Sequence, residues 1–121
     1  MNLSRQKMKV RQYEIWVADL NPRIGTEPGK VRPVVVVQTD LLNRHHKSTV
    51  ICPLTTKVEP GSSILRIHLA EGRCELEEAC DMMVDQVRAI DNKRLVRRLG
   101  KIPAEAVEKV KNNLKVIFDL D

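Results

Sequence analysis

The chain is poor in aromatic residues, since Tyr13, Trp16 and Phe118 are the only three among its 121 residues. Valine, leucine and isoleucine must therefore fill the core. A chain of this length buries roughly two-thirds of its unfolded surface, which is enough to fold without cross-links. The lack of aromatic side chains argues against a module that binds RNA by stacking bases on several rings.

Cysteine and histidine are equally sparse. The three cysteines form no CxxC pair, and the three histidines lack the spacing of metal ligands. We therefore predict neither a zinc site nor a disulfide framework, and we expect no metal and no cofactor. Cys52 lies within an apolar segment and is predicted to be a small core residue.

Long apolar segments are also absent. The sequence contains no apolar run of about 18 residues and no signal-peptide core, which predicts a soluble, cytoplasmic protein without membrane association. The formal charge of +5 is unevenly placed, because residues 1–57 contain ten Lys and Arg against four Asp and Glu. This basic half favours a polyanionic partner such as nucleic acid, although basic surfaces also serve solubility. The acidic segment 71–85 is predicted to be solvated and without chemistry.

The hydrophobic patterns predict one mainly β (α+β) domain over residues 12–121, preceded by a flexible basic extension over residues 1–11. The predicted strands are 13–20, 33–38, 48–55, 64–69 and 82–90. Pro103 is suited to a helix start. The apolar residues that follow it at helical spacing predict an amphipathic helix packed on the sheet. Five short strands and one terminal helix indicate a small barrel-like β domain.

The segment 19–38, DLNPRIGTEPGKVRPVVVVQ, is the most informative part of the chain. Its loop contains two prolines and two glycines and ends at Arg32, which precedes a strand predicted to be buried on both faces. Segment 50–56, VICPLTT, ends a second apolar strand in Thr55 and Thr56. A cation and a hydroxyl at adjacent strand ends could bind phosphate and support cleavage of an RNA backbone. The alternatives are an Arg32 paired with Glu27 or Asp85, and a Thr55 that only caps a turn.

These segments together resemble the MazF/PemK family of toxin endoribonucleases from bacterial toxin–antitoxin pairs. The resemblance covers nearly all of residues 12–118, in order, through EIWVADLNPRIGTEPGKVRPVVVV, VICPLTT, VDQVRAIDNKRL and RRLGKI. It implies an SH3-like barrel with a C-terminal helix, a homodimer, and sequence-selective, metal-independent cleavage of single-stranded mRNA. It also implies an antitoxin whose disordered tail occupies the RNA groove.

The family's catalytic arginine and threonine correspond to Arg32 and Thr55. The resemblance implies that the ribose 2′-OH attacks the adjacent phosphate, leaving 2′,3′-cyclic phosphate and 5′-OH ends. Some members use an acid at the position of Asp85, with an arginine that is here Met83 and a histidine that is here Thr26. We therefore favour catalysis by Arg32 and Thr55, with Asp85 as a contact or auxiliary base. The expected RNA-binding residues are Glu27, Lys30, Thr56, Asp85, Gln86 and Arg88.

Several alternatives stay open at the level of sequence. Gln86 and Arg88 would share one face of a strand, where they could bind RNA or merely solvate that face. His45 and His46 lie in a charged connection and are interpreted as solvated. The same superfamily includes gyrase poisons, which bind a protein and cut nothing, so a protein-targeting toxin of this fold is the alternative function. A catalytically inactive relative is a third possibility.

Overall fold

The computed structural model describes residues 9–62, 64–72 and 76–121. These residues form a seven-stranded antiparallel sheet and two α-helices. In chain order the elements are β1 (Glu14–Asp19), β2 (Val31–Val36), α1 (Asp40–Asn43), β3 (Ser48–Thr55), β4 (Arg66–Leu69), β5 (Cys80–Met83), a 3₁₀ helix (Val84–Gln86), β6 (Arg88–Asp91), a second 3₁₀ helix (Asn92–Arg94), β7 (Leu95–Lys101) and α2 (Ala104–Phe118). The strand order is β4-β5-β3-β2-β1-β7, with β6 paired to β3. The prediction of a small, mainly β domain with a C-terminal helix is confirmed.

The central strands are buried on both faces, as the run of valines in β2 predicts. Successive side chains of a strand point to opposite faces. Val35 accordingly joins one apolar cluster with Ile15 and Val110 of α2, whereas Val34 joins a second cluster with Trp16. Cys52 is completely buried in the first cluster, so its predicted role in the core is confirmed. The two clusters pack on both faces of β1, β2 and β3. This packing holds in place the strand ends at which Arg32 and Thr55 lie.

The prediction of one strand over residues 82–90 is wrong. Leu54 of β3 faces Met82, and Ile51 faces Arg88, so three steps along β3 correspond to six steps along the partner. The 3₁₀ helix Val84–Gln86 absorbs the excess residues and separates β5 from β6. Its first residue, Val84, is completely buried and anchors the turn in the core. Consequently Gln86 and Arg88 do not lie on one face of a continuous strand.

Other predicted elements differ in extent. The strand expected at 64–69 begins at Arg66, because Leu65 has a left-handed φ of 71°. The arginine-rich segment after Asn92–Arg94 was not predicted as a strand, yet it forms β7 and pairs with β1. Two short helical segments, α1 and the second 3₁₀ helix, lie in the connections that precede β3 and β7. The sheet therefore has seven strands rather than five.

Residues near both ends of the described part of the chain pack against the sheet. Of the basic segment 1–11, residues 1–8 lie outside the described part, and Val10 is buried against the second cluster. At the other end α2 packs Ala106 and Val110 into the first cluster, which confirms the predicted amphipathic helix. In the described ranges no helix has the length and apolar character needed to span a membrane. The acidic segment is not wholly solvated as predicted, because the side chain of Asp81 is completely buried.

Candidate active site

Arg32 links the start of β2 to the end of β3. It is the second residue of β2 and is half-buried. Its Nε donates to the Gly29 carbonyl at 2.8 Å, and its Nη1 donates to the Leu54 carbonyl at 3.2 Å. Because Leu54 directly precedes Thr55, these bonds bring the guanidinium beside the threonine. The two candidate catalytic residues, 23 positions apart in the sequence, therefore lie together.

The charge of Arg32 is not neutralised by a carboxylate. Within residues 9–62, 64–72 and 76–121 it forms no ion pair, and the alternative partner Glu27 instead lies 3.8 Å from Arg88. Burial, and then repulsion from Arg23, lower the pKa of Arg32 below its ordinary value. Two neutral carbonyls hold the side chain, so most of its five N–H donors remain available to an anion. A partly desolvated, uncompensated guanidinium of this kind is suited to phosphate.

Thr55 is the last residue of β3, and its hydroxyl oxygen already accepts one hydrogen bond. The Lys57 amide donates to Thr55 Oγ1 at 3.1 Å. A hydroxyl has one proton to donate besides its lone pairs. Oγ1 donates to no group in the described part of the chain, so its proton is available for an oxygen of a bound ligand. The hydroxyl of Thr55 can therefore cap the turn and donate to a ligand at the same time.

The β1–β2 loop forms one wall of the site, and backbone bonds hold its base. Asn21 Oδ1 accepts from the Lys30 amide at 2.9 Å, and Leu20 N donates to the Lys30 carbonyl at 2.8 Å. Gly29 is required here, because a Cβ at this position would lie 2.7 Å from the Cβ of Arg23. This close approach aims the Gly29 carbonyl at Arg32. The loop thus both shapes the site and fixes its arginine.

These elements surround an open cleft of about 610 Å³. Its lining includes five of the predicted site residues, namely Glu27, Lys30, Arg32, Thr55 and Thr56. The lining contains three acidic residues and five cationic ones, namely Arg23, Lys30, Arg32, Lys57 and Arg97. The surplus of positive charge favours an anionic ligand.

The remaining three predicted residues lie outside the lining of the cleft. Asp85 is exposed on the 3₁₀ helix, and Gln86 follows it. Arg88 lies on β6 opposite Ile51 and reaches the edge of the cleft only through its contact with Glu27. The structure therefore gathers Glu27, Lys30, Arg32, Thr55 and Thr56 in the lining of one cleft, and Asp85 and Gln86 are not part of that lining.

Sequence reasoning missed two features of this region. Arg23 lines the cleft but was not singled out, and Arg97, interpreted as part of a solvated basic run, also lines it from the unpredicted strand β7. His68 is exposed on β4, and its partners were not foreseen: both of its ring nitrogens contact oxygen atoms of the chain. The alternation of Arg66 and His68 on one face of β4 was the available signal. Among the described residues no three His, Cys, Asp or Glu side chains are grouped as metal ligands would be.

Comparison with known proteins agrees with this architecture. The family model described as PemK-like, MazF-like toxin of type II toxin-antitoxin system matches residues 11–118. Endoribonuclease EndoA from Bacillus subtilis (strain 168) is 28% identical over 113 residues, which cover 93% of this chain and 97% of that protein.

Solved structures of similar fold include MazF from Deinococcus radiodurans, with a TM-score of 0.79 at 20% identity over 92% of this chain and 97% of that one. An endoribonuclease in complex with its cognate antitoxin, from a mycobacterial species, has a TM-score of 0.71 at 18% identity over 94% and 97% of the two chains. At these identities the structures show a shared fold. The family model covers nearly the whole chain, so the chain belongs to the PemK-like, MazF-like family of toxins of type II toxin–antitoxin systems.

Proposed function

We propose that this chain is a sequence-selective endoribonuclease toxin that cuts single-stranded RNA without a metal ion and thereby inhibits growth. Family membership and the related Endoribonuclease EndoA support an RNA-cleaving activity. The observation that bears most directly on the chemistry is the contact of Arg32 with the Leu54 carbonyl, next to Thr55. The guanidinium of Arg32, which forms no described ion pair, and the hydroxyl of Thr55 therefore line the same cationic cleft.

In the proposed reaction the ribose 2′-oxygen attacks the adjacent phosphorus, and the bond from phosphorus to the 5′-oxygen breaks. The 2′-OH loses its proton to a base, and the departing 5′-oxygen gains one. The products are a 2′,3′-cyclic phosphate and a 5′-OH, so no water is consumed in this step. No redox change occurs, and no metal is needed for the bonds to balance.

Arg32 and Thr55 would stabilise the charge that accumulates on the non-bridging oxygens. The guanidinium donates from a site already partly removed from water, where such a contact is stronger than in bulk solvent. Its pKa is lowered by burial, but arginine remains protonated in proteins, so Arg32 is not the base. Asp85 stays a candidate for an auxiliary base or an RNA contact, although it lies outside the lining of the cleft.

Around these two residues, Lys30 and Thr56 would contact the RNA backbone within the cleft. Glu27, Gln86 and Arg88 would extend the contact towards β6. Arg88 and Glu27 are 3.8 Å apart and both partly exposed, so their pairing is weak and can yield to phosphate or base contacts. Cut-site selectivity would then depend on base contacts beside the cleft.

We further propose that the protein acts as a homodimer in the cytoplasm and is inhibited by an antitoxin. A second copy would cover apolar side chains that are more than half exposed near the end of α2, namely Val116, Phe118 and Leu120. One related structure is described as a complex with a cognate antitoxin, which supports a peptide partner for this chain. A disordered antitoxin tail would occupy the cleft that binds RNA.

The deciding experiment uses a long single-stranded RNA with EDTA present and maps the cut ends. Wild-type protein is compared with Arg32→Ala and with Arg44→Ala, a matched control at an exposed arginine outside the lining of the cleft. We expect discrete cuts with cyclic phosphate ends from wild type and Arg44→Ala, and at least about 10²-fold slower cleavage by Arg32→Ala. Full activity in Arg32→Ala would refute the mechanism. If wild type cuts no RNA, a protein-targeting toxin of the same fold becomes the better hypothesis.

A further inference from the structure

An ionic cluster, here defined as Arg66, His68 and Asp81, is built around one buried carboxylate and lies outside the lining of the cleft. Arg66 and His68 lie on one face of β4, and Asp81 on the neighbouring strand β5 is completely buried. One oxygen of Asp81 accepts from His68 Nδ1 at 2.5 Å, and the other accepts from Arg66 Nη1 at 3.2 Å. A buried carboxylate with this many partners requires an explanation, because burying charge is costly.

The cluster binds the loop that follows Thr55 at four places. Arg66 Nη1 donates to the Lys57 carbonyl at 3.2 Å, and Arg66 Nη2 lies 3.0 Å from the Glu59 carboxylate. The Glu59 amide donates to Asp81 Oδ2 at 2.8 Å. His68 Nε2 lies 2.9 Å from the carbonyl of Ser62. The loop from Lys57 to Ser62 is thus fixed along its length by groups of β4 and β5.

This loop in turn fixes the hydroxyl of Thr55. The Lys57 peptide uses its amide to donate to Thr55 Oγ1 and its carbonyl to accept from Arg66. Thr55 itself lies opposite Asp81 in the pairing of β3 with β5. A continuous path of hydrogen bonds therefore runs from Asp81 through Arg66 and the Lys57 peptide to the hydroxyl that faces the cleft.

We propose that Asp81, acting through Arg66 and His68, is a positioning residue that orients Thr55 for RNA cleavage, and that His68 makes this positioning dependent on pH. The proposal rests on the proposed ribonuclease function. Asp81 does not line the cleft, so it acts through the loop and not by touching RNA.

The pH dependence follows from the partners of His68. Asp81 Oδ1 and the Ser62 carbonyl are both acceptors, so both ring nitrogens must donate to complete the two bonds. The imidazolium has two N–H donors, whereas the neutral ring has one. Among the described residues, the charged groups joined to His68 in this network are Asp81 on β5 and, through it, Arg66 on its own strand and Glu59 in the loop. Loss of the proton breaks one bond, which releases either the loop or the carboxylate.

The partners of Asp81 favour its ionised form. Its burial would raise the pKa, but the hydrogen bonds from the Glu59 amide and His68, the charge of His68 and the bond from Arg66 together lower it. The cluster should hold the loop most firmly when both ring nitrogens of His68 carry a proton.

The test compares wild type with His68→Gln and with His46→Gln, which makes the same substitution at an exposed histidine in the α1–β3 connection. Cleavage of a short single-stranded RNA is measured as kcat and KM from pH 5.5 to 8.5. We expect kcat of wild type and His46→Gln to contain a limb that declines as pH rises, and this limb to be absent in His68→Gln. At pH 5.5 His68→Gln should be about tenfold slower in kcat with little change in KM, because Thr55 acts in the transition state.

A second readout does not need cleavage. Amide hydrogen exchange reports the Glu59 amide bonded to Asp81 and the Lys57 amide bonded to Thr55. We expect protection of both amides at pH 5.5 to be lower in His68→Gln than in wild type and His46→Gln. If wild type cuts no RNA, the proposed function fails, and exchange alone then decides whether the cluster holds the loop.

Asp81→Asn provides an independent check, because it removes the charge with almost no change in shape. We expect kcat to fall about 10- to 100-fold at a temperature where the folded state persists by circular dichroism. Wild-type kcat in folded Asp81→Asn, or identical pH profiles and identical amide protection in wild type and His68→Gln, would overturn the proposal.

Discussion

Removal of one hydroxyl gives the sharpest test of the proposed chemistry. In Thr55→Val the side chain keeps its branched shape and its suitability for a strand, and loses only the oxygen. A donor to the developing charge is then missing. Loss of one such donor typically slows the chemical step by about 10²–10³-fold, or about 2.7–4 kcal/mol in activation free energy.

The same substitution should cost little stability. The described contact of Thr55 Oγ1 is the bond from the Lys57 amide at 3.1 Å, and the side chain is only half-buried. Losing one such bond destabilises by about 0.5–1.5 kcal/mol. For a chain of 121 residues this lowers Tm by only about 2–8 °C. Unfolding therefore cannot account for a hundredfold loss of activity at 25 °C.

The assay is single-turnover cleavage of a labelled single-stranded RNA, with Thr56→Val as the matched control. Thr56 lines the same cleft, but its hydroxyl has no described bond that would orient it. We expect Thr55→Val to lose at least about 10²-fold in rate and Thr56→Val to be affected mainly in RNA affinity. Because Arg32 and Thr55 act on one phosphate, their double variant should lose less than the product of the single losses. Thr55→Val within tenfold of wild type, or equal losses at Thr55 and Thr56, would refute the assignment.

Three further predictions concern charge. If Asp85 is the base, a rate limb near pH 4–6 should vanish in Asp85→Asn, whereas an unchanged pH–rate profile would remove Asp85 from the mechanism. RNA affinity should fall as salt rises, and Lys30→Ala should reduce the slope of log K against log salt by about one, as expected for a lost phosphate contact. Because the folded-state pKa of Asp81 is lowered, its stabilisation is present above the unfolded value of 3.8 and disappears as pH falls through the folded value. Thermal unfolding from pH 6 to pH 2 should therefore show a smaller decline of Tm in Asp81→Asn than in wild type.

Much of the fold follows from local patterns. The strand Ser48–Thr55 has the predicted bounds, β1 and β2 deviate by no more than two residues at either end, and α2 begins directly after the predicted start at Pro103. In each of these segments, burial within a single strand or helix explains the apolar pattern. The failed prediction at 82–90 has a different cause. Two separate segments of β3 pair with this stretch, and only the register of that pairing reveals the three-residue excess in Val84–Gln86.

The sequence by itself determined a mainly β domain and placed Arg32 and Thr55 at the ends of adjacent buried strands, because apolar periodicity and turn residues act over short distances. Only the tertiary structure determined which groups each charged side chain contacts. Arg32 binds the carbonyl of a residue 22 positions away rather than Glu27 or Asp85, and His68 binds Asp81 across 13 positions. Such contacts depend on which strands pair and in what register. That dependence is why the cluster behind Thr55 became visible only in the folded chain.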